Sequence, residues 1–145
     1  MVTRSEIVAE ARSWIGTPFH HAACVKGVGV DCINLLIGIG HNLGLAPKDY
    51  RLPEYRTEPD GRLLPAFEEK MRRVSQDELR PADVVIVAIG DDPQHVGIVS
   101  DRNSGLAIIH ASNARSCRPP RVIETRLMFS PRFRFVAGYQ LPGVT

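Results

Sequence analysis

The order of hydrophobic patterns along the chain constrains the fold more than any other feature. Apolar residues recur at helical spacing near the N-terminus. After Pro81 they give way to short strand-like runs joined by turn residues. Helices first and consecutive strands later argue for an α+β domain, with N-terminal helices packed on a central antiparallel sheet. Ile7, Val8, Ala11, Trp14 and Ile15 follow Thr3-Arg4-Ser5-Glu6, which has the form of a capping box. Gly16 and Pro18 then stop the pattern, so a helix is predicted over 4–15. A second helix starts at Asp31 or Cys32 and ends near Gly44, with Asp31 as N-cap and Asn34 in support. Gly38 and Gly40 inside it cost about 1 kcal/mol each against alanine. Close packing against another element explains that choice. Leu63, Leu64, Phe67, Met71 and Val74 share one side of a third helix predicted over 62–74. Residues 16–30 read as an ordered loop and 45–61 as a long surface loop.

Strands are predicted over 83–89, 95–100, 106–110, 122–127 and 133–141. Asp91-Asp92-Pro93-Gln94 reads as a turn, and Asn103-Ser104-Gly105 supplies hairpin chemistry. With 145 residues and no repeat or low-complexity tract, a single domain over 1–145 is expected. That length buries a core without disulfide staples. A net charge of +2 gives no argument for nucleic acid, and no apolar run approaches a membrane span. Arg4, Glu6, Glu10 and Arg12 interrupt the N-terminal apolar residues, so no signal peptide is expected and synthesis is placed in the cytoplasm.

The three cysteines are odd in number and widely spaced, a poor disulfide framework that fits a reducing compartment. Cys24 and Cys117 read as small buried apolar residues. Cys24 lies near His20 and His21, but the spacing fits no standard zinc pattern, and no metal is expected.

Cys32 is different. It stands where Gly27-Val28-Gly29-Val30-Asp31 runs into an apolar helix, so its thiol lies in the first helical turn. Unpaired N–H groups and the helix dipole favour negative charge there. Such placement lowers a cysteine pKa from about 8.5 to somewhere within roughly 3.5–7.5, which makes a thiolate nucleophile. A nucleophile needs a base within hydrogen-bond reach and a third group to orient that base. His95 opens one predicted strand and His110 ends the next. Adjacent antiparallel strands lie about 4.8 Å apart, so the two rings can touch. Two readings stand for them: polar strand-end residues, or a base with its orienter.

Five segments occur in order: Gly16-Thr17-Pro18-Phe19, Gly29-Val30-Asp31-Cys32, Pro81-Ala82-Asp83-Val84-Val85, His95-Val96-Gly97-Ile98-Val99 and Ile108-Ile109-His110-Ala111. Their order and spacing resemble the NlpC-type cell-wall peptidases of the papain-like cysteine peptidase superfamily, over nearly the whole chain. The His20-His21 pair, the Val25-Lys26-Gly27-Val28-Gly29 loop and Phe133-Arg134-Phe135 are similar to the short forms encoded with phage tails and gene transfer agents.

The resemblance implies Cys32 as nucleophile, His95 as general base and His110 as the residue orienting it. It implies hydrolysis of peptide bonds in peptidoglycan stem peptides, commonly the γ-D-glutamyl–diamino acid bond, with no metal or organic cofactor. The expected partners are the peptidoglycan peptide and phage-like tail proteins, with action in the periplasm as a tail component. Ile33 and Asn34 stand where the family has serine and glycine, and Phe19 where many members carry a tyrosine. His20 or His21 then supplies a polar contact to the oxyanion or a substrate carboxylate, or serves only to pack the loop. Asp31 and Arg115 join the oxyanion and substrate-binding candidates. The alternative is a structural tail component that keeps the fold without activity. Arg115, Arg118, Arg121, Arg126, Arg132 and Arg134, with only Glu124 against them, read as a solvated sheet face or as a contact for anionic peptides or a tail subunit. Asp83 reads as a turn-fixing residue and Trp14 as core.

Overall fold

The computed structural model describes residues 2–45, 71–90 and 92–144. Helix α1 (Arg4–Arg12) is capped by Thr3, whose Oγ1 accepts the Glu6 N–H at 3.1 Å. The Thr3 hydroxyl in turn meets the Glu6 carboxylate at 3.2 Å. The regular helix ends three residues before the predicted end. The Trp14 and Ile15 N–H groups bond three residues back, to Ala11 and Arg12, and the chain leaves through Gly16 at φ +93°. A left-handed φ of that size suits glycine.

Residues 16–30 correct the loop expectation. They hold two short antiparallel strands, β1 (Cys24–Val25) and β2 (Gly29–Val30). Bridges also form between Pro18 and Arg121 and between Phe19 and Val30. Thr17 O accepts the Val122 N–H at 2.9 Å, Pro120 O accepts the Phe19 N–H at 3.0 Å, and Val30 O accepts the His20 N–H at 3.0 Å. The segment therefore satisfies its backbone partly within itself and partly against residues 120–122, a hundred residues away in sequence, information that local composition does not carry.

Helix α2 (Cys32–Asn42) begins where predicted, with Asp31 as its N-cap. Its inward face carries Ile33, Leu35, Leu36 and Ile39. An ideal Cβ built on Gly38 would stand 2.5 Å from Trp14 Cζ2, so the close-packing explanation holds at that glycine.

The predicted helix over 62–74 falls mostly outside the described residues. Its last three residues correct the expectation: Arg72–Val74 form strand β3. The strands that follow are β4 (Val84–Ile89), β5 (Asp92–Arg102), β6 (Gly105–Ser112), β7 (Arg121–Arg126) and β8 (Phe133–Gln140). They form one antiparallel sheet in the order β3-β8-β4-β5-β6-β7. Consecutive strands from β4 to β7 are neighbours, and β8 returns to lie between β3 and β4. Residues 92–94 belong to β5 rather than to a turn, so His95 lies inside its strand and pairs with Val87. Between β5 and β6 the left-handed residues are Asn103 (φ +52°) and Ser104 (φ +67°), not Gly105. Two positive φ values in a two-residue loop match the twist of the flanking strands.

One apolar cluster joins both helices to the sheet through Ile7, Trp14, Leu35, Ile39, Ile86, Val96, Ile98 and Ile109. A second gathers Val85, Val87, Val99 and Ile108, with Phe133 and Phe135 packed against it. Arg4 locks α1 to the sheet: its guanidinium reaches Asp83 Oδ1 and the Pro81 carbonyl, both at 2.8 Å. Asp83 Oδ2 also accepts the Arg80 N–H at 2.9 Å, so this carboxylate does fix the turn before β4.

Candidate active site

Asp31 sets the start of α2. The carboxylate is 3% exposed, and Oδ1 accepts the Asn34 N–H at 2.9 Å. Oδ2 accepts the Ala22 N–H at 2.7 Å and lies 3.7 Å from His21 Nδ1. Asn34 is thus capped by Asp31 through its backbone and is not itself the cap. Cys32 follows as the first helical residue, half-buried and in no disulfide. It packs at the border of the main core, which includes Val96 and Ala111, the chain neighbours of the two histidines. Helix α2 lies against β5 and β6, the strands that carry His95 and His110.

Those histidines meet. His95 Nε2 and His110 Nδ1 are 2.6 Å apart, with ring centroids at 4.8 Å and planes crossing at 83°. At that distance one nitrogen donates and the other accepts. Burial disfavours the imidazolium form of each ring. It lowers His95 from 6.5 to about 4, and together with the charge of His95 it lowers His110 to about 3. Both are neutral at pH 7. With His110 Nδ1 as acceptor, His95 carries its proton on Nε2 and keeps a lone pair on Nδ1. That is the tautomer a general base requires.

The remaining predicted residues separate into distinct roles. Phe19 is half-buried, bridged to Val30, and packed against the main core. His20 is exposed, and its Nδ1 stands 3.1 Å from the His21 carbonyl. His21 faces Asp31 instead. Arg115 is exposed on the segment after β6. Cys24 donates to the Asn34 carbonyl at 3.2 Å, and Cys117 is buried near Pro119 and Arg121. Among the described residues, no group of three or more His, Cys, Asp or Glu side chains could hold a metal ion.

Two features escape sequence reasoning. Ala22 sits at φ +64°, a left-handed conformation that aims its N–H at Asp31. Glu124, read as the lone acid among the arginines, is engaged elsewhere: Arg12 reaches it at 3.0 Å and the Ser100 hydroxyl at 2.6 Å. Alanine is not a residue type that marks a left-handed φ, and the partners of Glu124 are distant along the chain.

Solved structures share this architecture over nearly the whole chain. The NlpC/p60 domain of the peptidoglycan hydrolase SagA superposes with a TM-score of 0.63 at 18% identity, covering 96% of this chain and 99% of that one. The fold is the NlpC/p60 fold. NlpC2 from Trichomonas vaginalis gives a TM-score of 0.68 at 14% identity, covering 97% of this chain and 48% of its own. A protein similar to lipoproteins of the NLP/P60 family, from Staphylococcus aureus subsp. aureus Mu50, gives 0.62 at 17% identity, covering 95% and 41%. This chain therefore spans less than half of the last two proteins. By sequence, no family model and no curated protein matches. The NlpC/p60 fold thus persists here at identities where the chemistry must be argued from the site itself.

Proposed function

We propose that this chain is a cysteine hydrolase that cuts peptide bonds in peptidoglycan stem peptides. The observation that carries the reading is the 2.6 Å contact between His95 Nε2 and His110 Nδ1, on the strands against which the Cys32 helix packs. It leaves Nδ1 of His95 as the nitrogen that takes a proton. The hydrolase class and the substrate rest on the NlpC/p60 fold shared with a peptidoglycan hydrolase and on the sequence resemblance.

In this mechanism His95 Nδ1 accepts the Cys32 proton, and the thiolate sulfur attacks the scissile carbonyl carbon. The carbonyl electrons move to oxygen, where the Cys32 backbone N–H at the helix terminus stabilises the oxyanion. Collapse of that intermediate breaks the C–N bond, and the imidazolium of His95 gives its proton to the leaving amine. A thioester remains. His95 then takes a proton from water, hydroxide adds to the thioester, and the thiol departs with that proton. His110 holds the His95 ring throughout and keeps its proton on Nε2.

The bond cut is the one between γ-D-glutamyl and the diamino acid, and delivery is by a phage-like tail acting in the periplasm. Both rest on the sequence resemblance, the second on His20-His21 and residues 25–29 in particular. The test is digestion of purified sacculi, with released muropeptides identified by mass spectrometry. Wild type releases fragments ending at the cut bond and Cys32→Ala releases none. Identical products from the two proteins would end the hydrolase reading.

A further inference from the structure

The sequence treats His20 and His21 as equivalent; the structure does not. The His20 ring is tied to the backbone of its own loop, whereas the His21 ring turns toward Asp31 Oδ2 at 3.7 Å. Asp31 is no ordinary surface acid. It is 3% exposed, its two oxygens accept backbone N–H groups from Asn34 and Ala22, and it immediately precedes Cys32.

A carboxylate in that place has two consequences of opposite sign. It caps the helix and so orders the turn that carries the thiol. It also sets a negative charge one residue from a sulfur that must itself become negative, which opposes thiolate formation. A positive or proton-donating group on the far side of the carboxylate keeps the first effect and offsets the second. The left-handed φ of Ala22 shows that the loop is held in a costly conformation to close around this carboxylate.

We propose that His21 is a positioning residue for Cys32, one that holds the Asp31 carboxylate from the solvent side and offsets its charge beside the nucleophile. This rests on the reading of Cys32 as the nucleophile. His21 acts through Asp31 and need not touch substrate. Its side chain is 38% exposed, whereas that of Asp31 is 4% exposed.

The test uses the full chain and three proteins: wild type, His21→Ala and His21→Lys. Cys32 alkylation by iodoacetamide is followed by site-resolved mass spectrometry at one near-neutral pH, alongside thiolate ultraviolet absorbance and steady-state kinetics on muropeptides. His21→Ala slows Cys32 alkylation and lowers kcat about three- to five-fold, the size of one charge interaction at a partly exposed helix terminus. KM stays within about twofold, because the lost contact is not to substrate. His21→Lys, which places an ammonium at the same position, recovers most of the labelling rate. If His21→Ala and wild type label Cys32 equally fast with equal kcat, the inference is wrong while the nucleophile stands. An effect confined to KM overturns it too, and returns His21 to substrate binding. If wild-type Cys32 itself labels no faster than Cys24 and no muropeptide is cut, the underlying enzyme reading fails instead.

Discussion

At the scale of single residues, the chemistry turns on which nitrogen of His95 is free. In the proposed mechanism His110 engages Nε2 of His95, which leaves Nδ1 to act as the base. Replacing His110 therefore attacks the tautomer rather than the nucleophile. His110→Ala is expected to lower kcat by about 10²- to 10⁴-fold, the usual worth of a correctly poised base, with little change in KM. His110→Asn keeps a carbonyl that can accept the Nε2 proton and loses less. Steady-state kinetics on muropeptides measure both, and equal activity in wild type and His110→Ala would remove His110 from the mechanism. Two features of the candidate site were legible in the sequence: the start of α2 at Cys32 and the meeting of His95 with His110. Cys32 was marked by the glycine-rich loop and apolar helix around it, and His95 and His110 by their places on neighbouring strands. The pairing of His21 with Asp31 was not legible, because it depends on the path of a loop whose strands are two residues long.

At the scale of elements, packing overrides local preference in both helices and strands. Alanine at Gly38 should stabilise α2 by about 1 kcal/mol on propensity alone. Its Cβ, however, would meet Trp14 Cζ2 at 2.5 Å and Cη2 at 2.6 Å, and Cys24 Sγ at 3.2 Å. Trp14 cannot simply swing away, since its Nε1 donates to Glu10 at 2.8 Å and the Lys26 ammonium sits 5.4 Å from its ring centre. Gly38→Ala is thus predicted to be net destabilising, with overpacking of about 1–3 kcal/mol exceeding the propensity gain. Urea denaturation gives the sign, and a stabilised variant would mean that the α1–α2 contact is looser than described. The strand series from β4 to β8 was readable from alternation and turn residues. Strand β3 was not, because Arg72–Val74 continues a pattern of helical period and is drawn into the sheet by pairing with β8, 64 residues downstream of Val74 at Gly138. Tertiary partners decide short segments of this kind.

At the scale of the whole molecule, the buried histidine pair links stability to acidity. Both rings have folded-state values below the ordinary 6.5, about 4 for His95 and about 3 for His110. The unfolded chain therefore binds more protons than the folded one between those values. Stability is full above pH 6.5 and falls as pH drops toward 4 and below. From pH 7 to pH 5 the pair is expected to cost about 2–4 kcal/mol, seen as a lower thermal midpoint. In His110→Asn the fall over the same range shrinks. A midpoint that rises on acidification would contradict the burial of the pair. The same packing that neutralises the rings sets helix α2, which carries the Cys32 thiol, against β5 and β6. The most direct measurement is the rate of Cys32 alkylation at neutral pH in wild type and in His95→Ala, with Cys24 as the internal reference. Wild-type Cys32 is expected to react far faster than Cys24, and His95→Ala to bring its rate down toward that of Cys24. Equal Cys32 rates in the two proteins would contradict the proposed mechanism.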